Sequence, residues 1–249
     1  MGIVFNDVSY NGNNYSFDIE KSKITGIIGK SGSGKSDIVD LISGLCECDS
    51  GSVLCEGDVG IVYQNSDDQF YFDNVLDNFN FVMKIHNSSF DRIGKSLKMV
   101  GLDSSYLQMN YYELSLSERK LISFALAICF NPKILVLDDV FFGIGSDYWK
   151  IVKVIRMMKI RYGKTIVILS RNSDLIHYLC DDIILLGDGK VISKGDKYSV
   201  FTDYKSLSTA GVDVPSIIKF SKIMKKKLNK KIIYRDDVND LAKDIYRLV

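Results

Sequence analysis

The chain has 249 residues, of which 46% are apolar and 25% charged, and its formal net charge is +1 at pH 7. This length and composition suffice for one large α/β domain and a small appendage. No apolar run approaches the roughly 18 to 20 residues that span a bilayer, and the start Met1 to Phe5 lacks a basic signal-peptide region, so we expect membrane attachment only through a partner. The near-neutral charge argues against a nucleic-acid partner.

Short apolar and β-branched runs predict a sheet. The predicted strands are Ile3 to Tyr10, Tyr15 to Ile19, Ile24 to Gly29, Ser52 to Cys55, Val59 to Tyr63, Ile134 to Asp138, Thr165 to Ser170 and Ile183 to Gly187. The glycines at Gly187 to Lys190 mark a turn between two short strands. Helices are expected to fill most of the remaining chain.

Three segments between the fifth and sixth strands have apolar residues at intervals of three and four, which predicts helices. They are Asn74 to Ile85, Phe90 to Val100 and Leu116 to Phe130. We therefore expect a helical subdomain at about residues 66–131 within a domain of residues 1–210. A C-terminal helical extension, residues 211–249, is expected to open at Asp213 to Pro215.

The most specific motif follows the third strand. It reads G-K-S-G-S-G-K-S, which is a complete Walker A phosphate loop. Its residues are Gly29, Lys30, Ser31, Gly32, Ser33, Gly34, Lys35 and Ser36. Glycines let backbone N–H groups face the phosphates, Lys35 reaches the terminal phosphates, and Ser36 is expected to ligate the accompanying Mg²⁺. The loop therefore predicts binding of a nucleoside triphosphate.

Asp37 follows this loop directly, where the sequence allows two interpretations. Its charge near the α-phosphate would weaken nucleotide affinity. Alternatively, it is a solvated acid at a helix start, which the helix dipole favours.

A later apolar run ends in two carboxylates. Residues Ile134 to Asp139 read I-L-V-L-D-D, as expected of a buried strand that delivers a Walker B ligand, and Asp138 is the candidate for Mg²⁺. Upstream, Leu114 to Lys120 read L-S-L-S-E-R-K at the head of an apolar, helix-like stretch. This order of motifs resembles that of the ATP-binding cassette (ABC) ATPases, whose signature usually reads L-S-G-G-Q.

The resemblance implies an α/β fold, with a P-loop NTPase (ABC ATPase) core, a mixed sheet, a helical subdomain and a small C-terminal helical extension. It makes Gln64 the Q-loop residue that senses Mg²⁺ and links core to helical subdomain; an ordinary strand-end glutamine is the alternative. Ser115, Ser117 and Glu118 fall in the signature, which in this family completes the ATP site of an opposing cassette. Leu116 and Ser117 replace paired glycines there, and Glu118 replaces glutamine.

The same resemblance implies an aromatic residue that stacks on adenine and comes from the first strands. Tyr10 and Tyr15 are both candidates, and Tyr10 is preferred. For either one, a half-buried strand residue without a ligand is the alternative.

The departures from the family pattern fall on the candidate catalytic residues, which are Asp139, Arg171 and Gln64. Asp139 occupies the position of the catalytic glutamate, and its shorter side chain withdraws the carboxylate from the attacking water. Arg171 replaces a switch histidine; it can bind γ-phosphate oxygens without reproducing a neutral imidazole. The D-loop aspartate is replaced by glycine, and Asp147 is out of register. We therefore expect ATP and Mg²⁺ to bind and hydrolysis at this chain's own site to be slow.

Two segments look like parts of the ATPase subunits of energy-coupling factor (ECF) transporters, which power bacterial uptake of vitamins and some metal ions. Gln64 to Phe72, with a second glutamine at Gln69, is similar to their extended Q-loop, and Ala210 to Lys227 to their C-terminal extension. One aromatic and apolar set is expected either to dock a membrane subunit or to form subdomain core: Phe70, Tyr71, Phe72, Val75 and Phe79.

The ECF resemblance implies two partners, a second ABC ATPase subunit in a heterodimer and a polytopic membrane subunit. It places the chain peripherally at the cytoplasmic face of the cell membrane. The alternative is a soluble ABC-type module that holds ATP as a regulatory ligand with little hydrolysis.

Overall fold

The computed structural model describes residues 1–228, 235–236 and 238–247. Within this part of the chain, nine strands form one mixed sheet. They are β1 (Ile3–Tyr10), β2 (Asn13–Ile19), β3 (Ile24–Ile28), β4 (Ser50–Cys55), β5 (Val59–Val62), β6 (Ile134–Asp138), β7 (Thr165–Ser170), β8 (Asp182–Gly187) and β9 (Lys190–Asp196).

The strand order across the sheet is β4-β1-β2-β9-β8-β3-β7-β6-β5. The strands from β8 to β5 in that order are mutually parallel. In the other half, β1 is antiparallel to β2 and β4, and β9 is antiparallel to β8. Because parallel strands present their carboxyl ends at one edge of a sheet, the segments after β3, β5, β6 and β7 meet there.

Ten α-helices lie in the described ranges. They are α1 (Lys35–Ser43), α2 (Val75–Ile85), α3 (Asp91–Met99), α4 (Leu116–Cys129), α5 (Tyr148–Tyr162), α6 (Ser173–Leu179), α7 (Lys197–Thr202), α8 (Tyr204–Ala210), α9 (Ser216–Leu228) and α10 (Val238–Tyr246). Short 3₁₀ turns occupy Ser66–Gln69, Ser104–Gln108, Tyr111–Glu113 and Gly145–Asp147. No helix of the described residues is long and apolar enough to cross a membrane.

Two apolar clusters hold these layers together. The smaller one packs α1 against β1 and β2, where the rings of Phe5 and Phe17 stack with centroids 4.4 Å apart. The larger one joins the other face of the sheet to α2 through α9. Helix α4 lies at its centre, and every residue from Lys120 to Cys129 is buried. The position of α4 fixes the helical layer relative to the phosphate-loop edge of the sheet.

The predicted strands agree with the structure to within two residues at each end. A short strand was predicted after the Gly187 to Lys190 turn. In the structure this strand, β9, has seven residues and extends to Asp196 as the antiparallel partner of β8. The C-terminal helix α9 begins directly after Pro215. The domain boundaries stay predictions, and the C-terminal extension includes residues outside the described ranges.

The aromatic and apolar set after Gln64 divides between the two predicted roles. Val75 and Phe79 are fully buried, so they belong to the core, and Phe70 is half-buried. Tyr71 is 74% exposed and Phe72 43% exposed. Only these two are free to contact a partner.

Candidate functional site

The phosphate loop connects β3 to α1 and folds around its own lysine. The Lys35 Nζ donates to the carbonyl oxygens of Gly29 and Lys30, at 2.8 Å each, and lies 3.3 Å from Ser33 Oγ. Burial lowers the pKa of Lys35. The first turn of α1 has Gly34 as its N-cap and no capping side chain, so its N–H groups stay available to an anion. The loop is shaped to receive phosphate oxygens.

A polar brace joins β2 to the start of α1. The Tyr15 hydroxyl lies 2.9 Å from Asp37 Oδ2 and 3.1 Å from the Gly34 carbonyl oxygen. Asn13 Nδ2 donates to the same Asp37 oxygen at 2.6 Å. Burial raises the pKa of Tyr15, which therefore stays protonated. Asp37 is thus the acceptor of two side-chain donors, which neither sequence interpretation included.

This brace depends on a glycine. Gly34 has φ 90°, and a Cβ there would lie 2.0 Å from the Tyr15 hydroxyl. Tyr15 cannot stack on adenine, because its side chain is only 1% exposed. Tyr10 remains the candidate; it is half-buried at the end of β1, and a hydrogen bond to Cys46 raises the pKa of its hydroxyl.

The two carboxylates after β6 have different environments. Burial and the charge of Asp139 raise the pKa of Asp138 to about 6, against the opposing charges of Lys35 and Lys120. Asp139 has φ 43°. Its Oδ1 accepts from Ser170 Oγ at 2.8 Å, and its Oδ2 lies 3.7 Å from Arg171 Nε. Asp138 is therefore available to ligate a cation. Asp139, in contrast, already contacts Ser170, the last residue of β7, and Arg171, which follows that strand.

Two side chains fix the segment that follows β5. Gln69 folds back onto the strand, accepting from Tyr63 N at 3.2 Å and donating to Ile61 O at 2.9 Å. The Lys120 Nζ donates to the carbonyl oxygen of Gln64. Lys120 is only 3% exposed, and burial lowers its pKa. This link between α4 and the Q-loop position was missed by the sequence analysis, although a lysine within an apolar helical stretch was its visible signal.

One cavity of about 340 Å³ brings most of the candidate residues together. It is lined by Asn13, Ser31, Gly32, Gly34, Lys35, Ser36, Asp37, Gln64, Asp138, Asp139 and Arg171. Asn13 is the one lining residue that the sequence analysis did not name. Gly29 and Ser33 are buried behind the loop, and Lys30 points away to form an ion pair with Asp188 at 2.7 Å.

The cavity fits a hard divalent cation. Ser36 supplies a hydroxyl, Gln64 an amide oxygen and Asp138 a carboxylate, and Mg²⁺ prefers oxygen ligands of this kind. No hydrogen bond or ion pair to another described residue satisfies Asp138, and its raised pKa reflects two adjacent carboxylates in a desolvated place. A cation would relieve that repulsion.

The signature residues lie outside this cavity, at the start of α4. Ser115 is the N-cap, and its hydroxyl lies 2.6 Å from Glu118 Oε2 in a capping box. The Tyr106 hydroxyl donates to Glu118 Oε1 at 2.7 Å, and Ser117 Oγ donates to Asp147 Oδ2 at 2.6 Å. The hydrogen bonds from Ser115 and Tyr106 lower the pKa of Glu118, with the Ser115 contact as the largest cause. Their position is compatible with a role in an opposing cassette's site.

Comparison with known proteins gives a matching family model and several similar relatives. A family model described as ABC transporter matches residues 12–141, just over half of the chain. The energy-coupling factor transporter ATP-binding protein EcfA2 of Clostridium perfringens is 25% identical over 226 residues, covering 82% of this chain and 79% of the relative. EcfA3 of Oenococcus oeni is 28% identical over 234 residues, covering 85% and 81%.

Solved structures share the fold. CbiO1 of Clostridium perfringens, described as part of the ABC transporter complex CbiONQ, has a TM-score of 0.69 at 21% identity and covers 90% of this chain and 98% of that one. A bacterial ABC transporter cassette with a dimeric structure also has a TM-score of 0.69 at 21% identity, covering 78% and 98%. The predicted P-loop NTPase fold is confirmed, and the chain belongs to the ABC transporter family.

Proposed function

We propose that this chain is the ATP-binding subunit of an ECF-type ABC importer. It couples Mg-ATP binding, with slow or partner-assisted hydrolysis, to the uptake of a vitamin or a metal ion. The observation that carries the proposal is the single cavity in which Lys35 and Ser36 face Asp138 and Asp139. The relatives named ECF transporter ATP-binding proteins support the importer class.

Nucleotide binding uses groups that the loop already holds in place. Lys35 transfers its hydrogen bonds from loop carbonyls to the terminal phosphates, and the N–H groups at the start of α1 contact the phosphate oxygens. Bound Mg²⁺, held by Ser36, Asp138 and Gln64, supplies positive charge that shields the phosphates. Tyr10 stacks on adenine from the end of β1.

Hydrolysis is slow because the residue in the general-base position is short and already engaged. The Asp139 carboxylate accepts from Ser170 and lies near Arg171, so it must leave both to orient a water molecule. Arg171 stabilises γ-phosphate charge instead of positioning water. The arrangement favours holding ATP over cleaving it.

The transport role needs two partners. An opposing ABC ATPase subunit receives Ser115, Ser117 and Glu118 at its own ATP site, and it carries the better-equipped catalytic residues. A polytopic membrane subunit holds the pair at the cytoplasmic face of the membrane. Closure of the two cassettes on ATP then moves the membrane subunit.

A groove beside the Q-loop segment is the proposed docking place for the membrane subunit. It has a volume of about 220 Å³ and lies between the end of α1, β5, α2 and the end of α4. Leu45, Tyr71, Val82 and Phe130 are among the residues that line it. Leu45 is 70% exposed and Tyr71 74%, so a large apolar surface is open to a partner helix.

The test is affinity purification of the tagged full chain from detergent-solubilised native cells, with mass spectrometry. We expect a polytopic membrane protein and a second ABC ATPase subunit with a catalytic glutamate. The variant Leu45→Asp should lose the membrane protein while Mg-ATP binding persists. Leu54→Asp is the matched control, since Leu54 is 59% exposed on β4 and outside the groove.

Two other outcomes would contradict the proposal, and a third would contradict the docking groove alone. Recovery of cytosolic partners alone would favour the ATP-holding regulatory module, which the engaged Asp139 also suits. Equal loss of the membrane protein in both variants would show that the groove is not its docking place. A purified chain that binds no Mg-ATP would overturn both functions.

A further inference from the structure

A second cavity lies at the opposite edge of the sheet from the nucleotide cavity. Its volume is about 310 Å³, and it lies between α3, the end of α4 and the carboxyl-terminal half of α5. Arg92 and Lys95 of α3 line one side, and Asn131 lies on its surface just before β6. The nucleotide cavity follows the other end of β6, so the two are separate sites.

The second cavity combines polar groups with apolar walls. Met99, Ile128 and Met158 form the apolar part, and Tyr162 also lines the cavity. The volume falls at the lower end of the roughly 300–1,000 Å³ range that is usual for small-molecule sites. A ligand here would bury an apolar body and keep a polar head near α3.

The cations around this cavity have no carboxylate partner. In the described part of the chain, Arg92, Lys95 and Lys164 form no ion pair. Lys164 is only 7% exposed, and its Nζ donates to the Asn131 carbonyl oxygen at 3.1 Å. Burial lowers the pKa of Lys164, and the charges of Arg92 and Lys133 lower it further. Arg92 and Lys95 therefore line the cavity without a carboxylate of the described residues at ion-pair distance.

Two cations of the neighbouring helix α5 have carboxylate partners. Lys159, on α5, lies 2.7 Å from both carboxylate oxygens of Asp181. Lys150, at the start of α5, pairs with Asp147 at 2.8 Å. Lys159 is half-buried and has a carboxylate partner, whereas Arg92, which is also half-buried, lines the cavity without one, so an external anion there would supply the missing charge.

We propose that this cavity binds a small organic anion with a carboxylate or phosphate head and an apolar body. Arg92 and Lys95 contact the head, since guanidinium and ammonium groups give the strongest hydrogen bonds to such oxyanions. Met99, Ile128 and Met158 cover the body. The bound anion joins α3 of the helical layer to α5 of the core, so it also stabilises the contact between the two layers.

The test is methyl NMR of the full chain labelled at its seven methionine methyl groups. Met99 and Met158 report on the cavity and are assigned with Met99→Leu and Met158→Leu. The probes are 2-naphthoate and phenyl phosphate, with 2-naphthalenemethanol as the uncharged comparison. Phenyl phosphate bound at the phosphate loop would leave both signals unchanged, because neither methionine lines that cavity.

We expect 2-naphthoate or phenyl phosphate to shift both signals saturably, and the alcohol to bind at least about tenfold more weakly. Arg92→Leu should weaken anion binding by about 10- to 100-fold, as expected on loss of hydrogen bonds to a charged group. Lys98→Leu is the matched control, because Lys98 is exposed on α3 and does not line the cavity.

Three results would overturn the proposal. The first is the absence of a shift at Met99 and Met158 with both anions while the wild-type chain is folded. The second is equal binding of the alcohol, which would make the cavity merely apolar. The third is an equal loss in Lys98→Leu, which would indicate a diffuse surface charge. The measurement is independent of ATP binding, so it stands apart from the proposed function.

Discussion

The two sides of the nucleotide cavity differ in how complete they are. On the binding side, the Lys35 ammonium is held by the loop's own carbonyl oxygens, and Tyr15 and Asn13 brace the start of α1 through Asp37. On the hydrolytic side, Asp139 is held by Ser170 and lies near Arg171. The first set of contacts leaves the Lys35 ammonium in place to bind a phosphate. The second set occupies the Asp139 carboxylate, which would otherwise activate water. This difference supports the proposal that the site retains ATP and cleaves it slowly.

The largest effect is expected on the binding side. Lys35→Ala should lower ATP affinity by at least about 100-fold, because the charge-assisted hydrogen bonds to the terminal phosphates are lost. Isothermal titration with Mg-ATP measures it. Lys30→Ala is the matched control, since Lys30 lies in the same loop but pairs with Asp188 outside the cavity. Similar affinities for the two variants would contradict the assigned role of Lys35.

The adjacent carboxylates of Asp138 and Asp139 should lower the stability of the chain in the absence of nucleotide. Because the pKa of Asp138 is about 6 in the folded chain, above its ordinary value of 3.8, this group costs stability once pH rises through that interval. Asp138→Asn should therefore raise the free energy of unfolding by about 2–3 kcal/mol at pH 7.5. The gain should shrink as pH falls through 6 and vanish near the ordinary value.

Urea unfolding of wild type and Asp138→Asn across this pH range is the measurement. A gain that does not vary with pH would show that packing, and not the carboxylate pair, sets the difference. Loss of Mg²⁺-dependent nucleotide binding in the same variant would tie the stability cost to the cation site, as is usual where function requires adjacent like charges.

The hydrolytic side is tested by giving residue 139 the longer side chain of a glutamate. Asp139→Glu extends the carboxylate by about 1.5 Å and should raise the ATPase rate by no more than about tenfold, since Arg171 still lies where a histidine would act. Adding Arg171→His should raise the rate further. The assay is steady-state ATP hydrolysis with any copurified ABC ATPase subunit present. A rapid wild-type rate unaffected by Asp139→Asn would break the contrast between the two sides.

The sequence predicted features that neighbouring residues form, but it did not predict contacts between residues that are far apart in the chain. The buried parallel strands β3, β6 and β7 are continuous apolar runs, and the phosphate loop is a local motif, so both were predicted closely. The brace and the Lys120 link were not, because Asn13 is 24 residues from Asp37 and Lys120 is 56 residues from Gln64. Contacts that depend on the packing of separate elements leave little pattern in a single chain.

Strand β9 and Tyr15 show the same limit. β9 reads K-V-I-S-K-G-D, with a polar composition that predicts a strand only weakly, and its pairing with β8 fixes its length. Tyr15 was a candidate for adenine until its burial was known. In each case, tertiary packing decided between interpretations that the residue type allowed.

The smallest expected effect tests whether the brace organises the binding side. Tyr15→Phe removes the hydroxyl that bonds Asp37 while keeping the buried ring, and it should lower the free energy of unfolding by about 1 kcal/mol. Asn13 still donates to Asp37, which limits the loss. Tyr112→Phe is the matched control, because Tyr112 is 61% exposed, and its effect should stay within about 0.5 kcal/mol. If the brace also holds the phosphate loop in shape, ATP affinity should fall a few-fold in Tyr15→Phe and not in the control. Unchanged affinity would limit the brace to stability and leave the loop's shape to its glycines and Lys35.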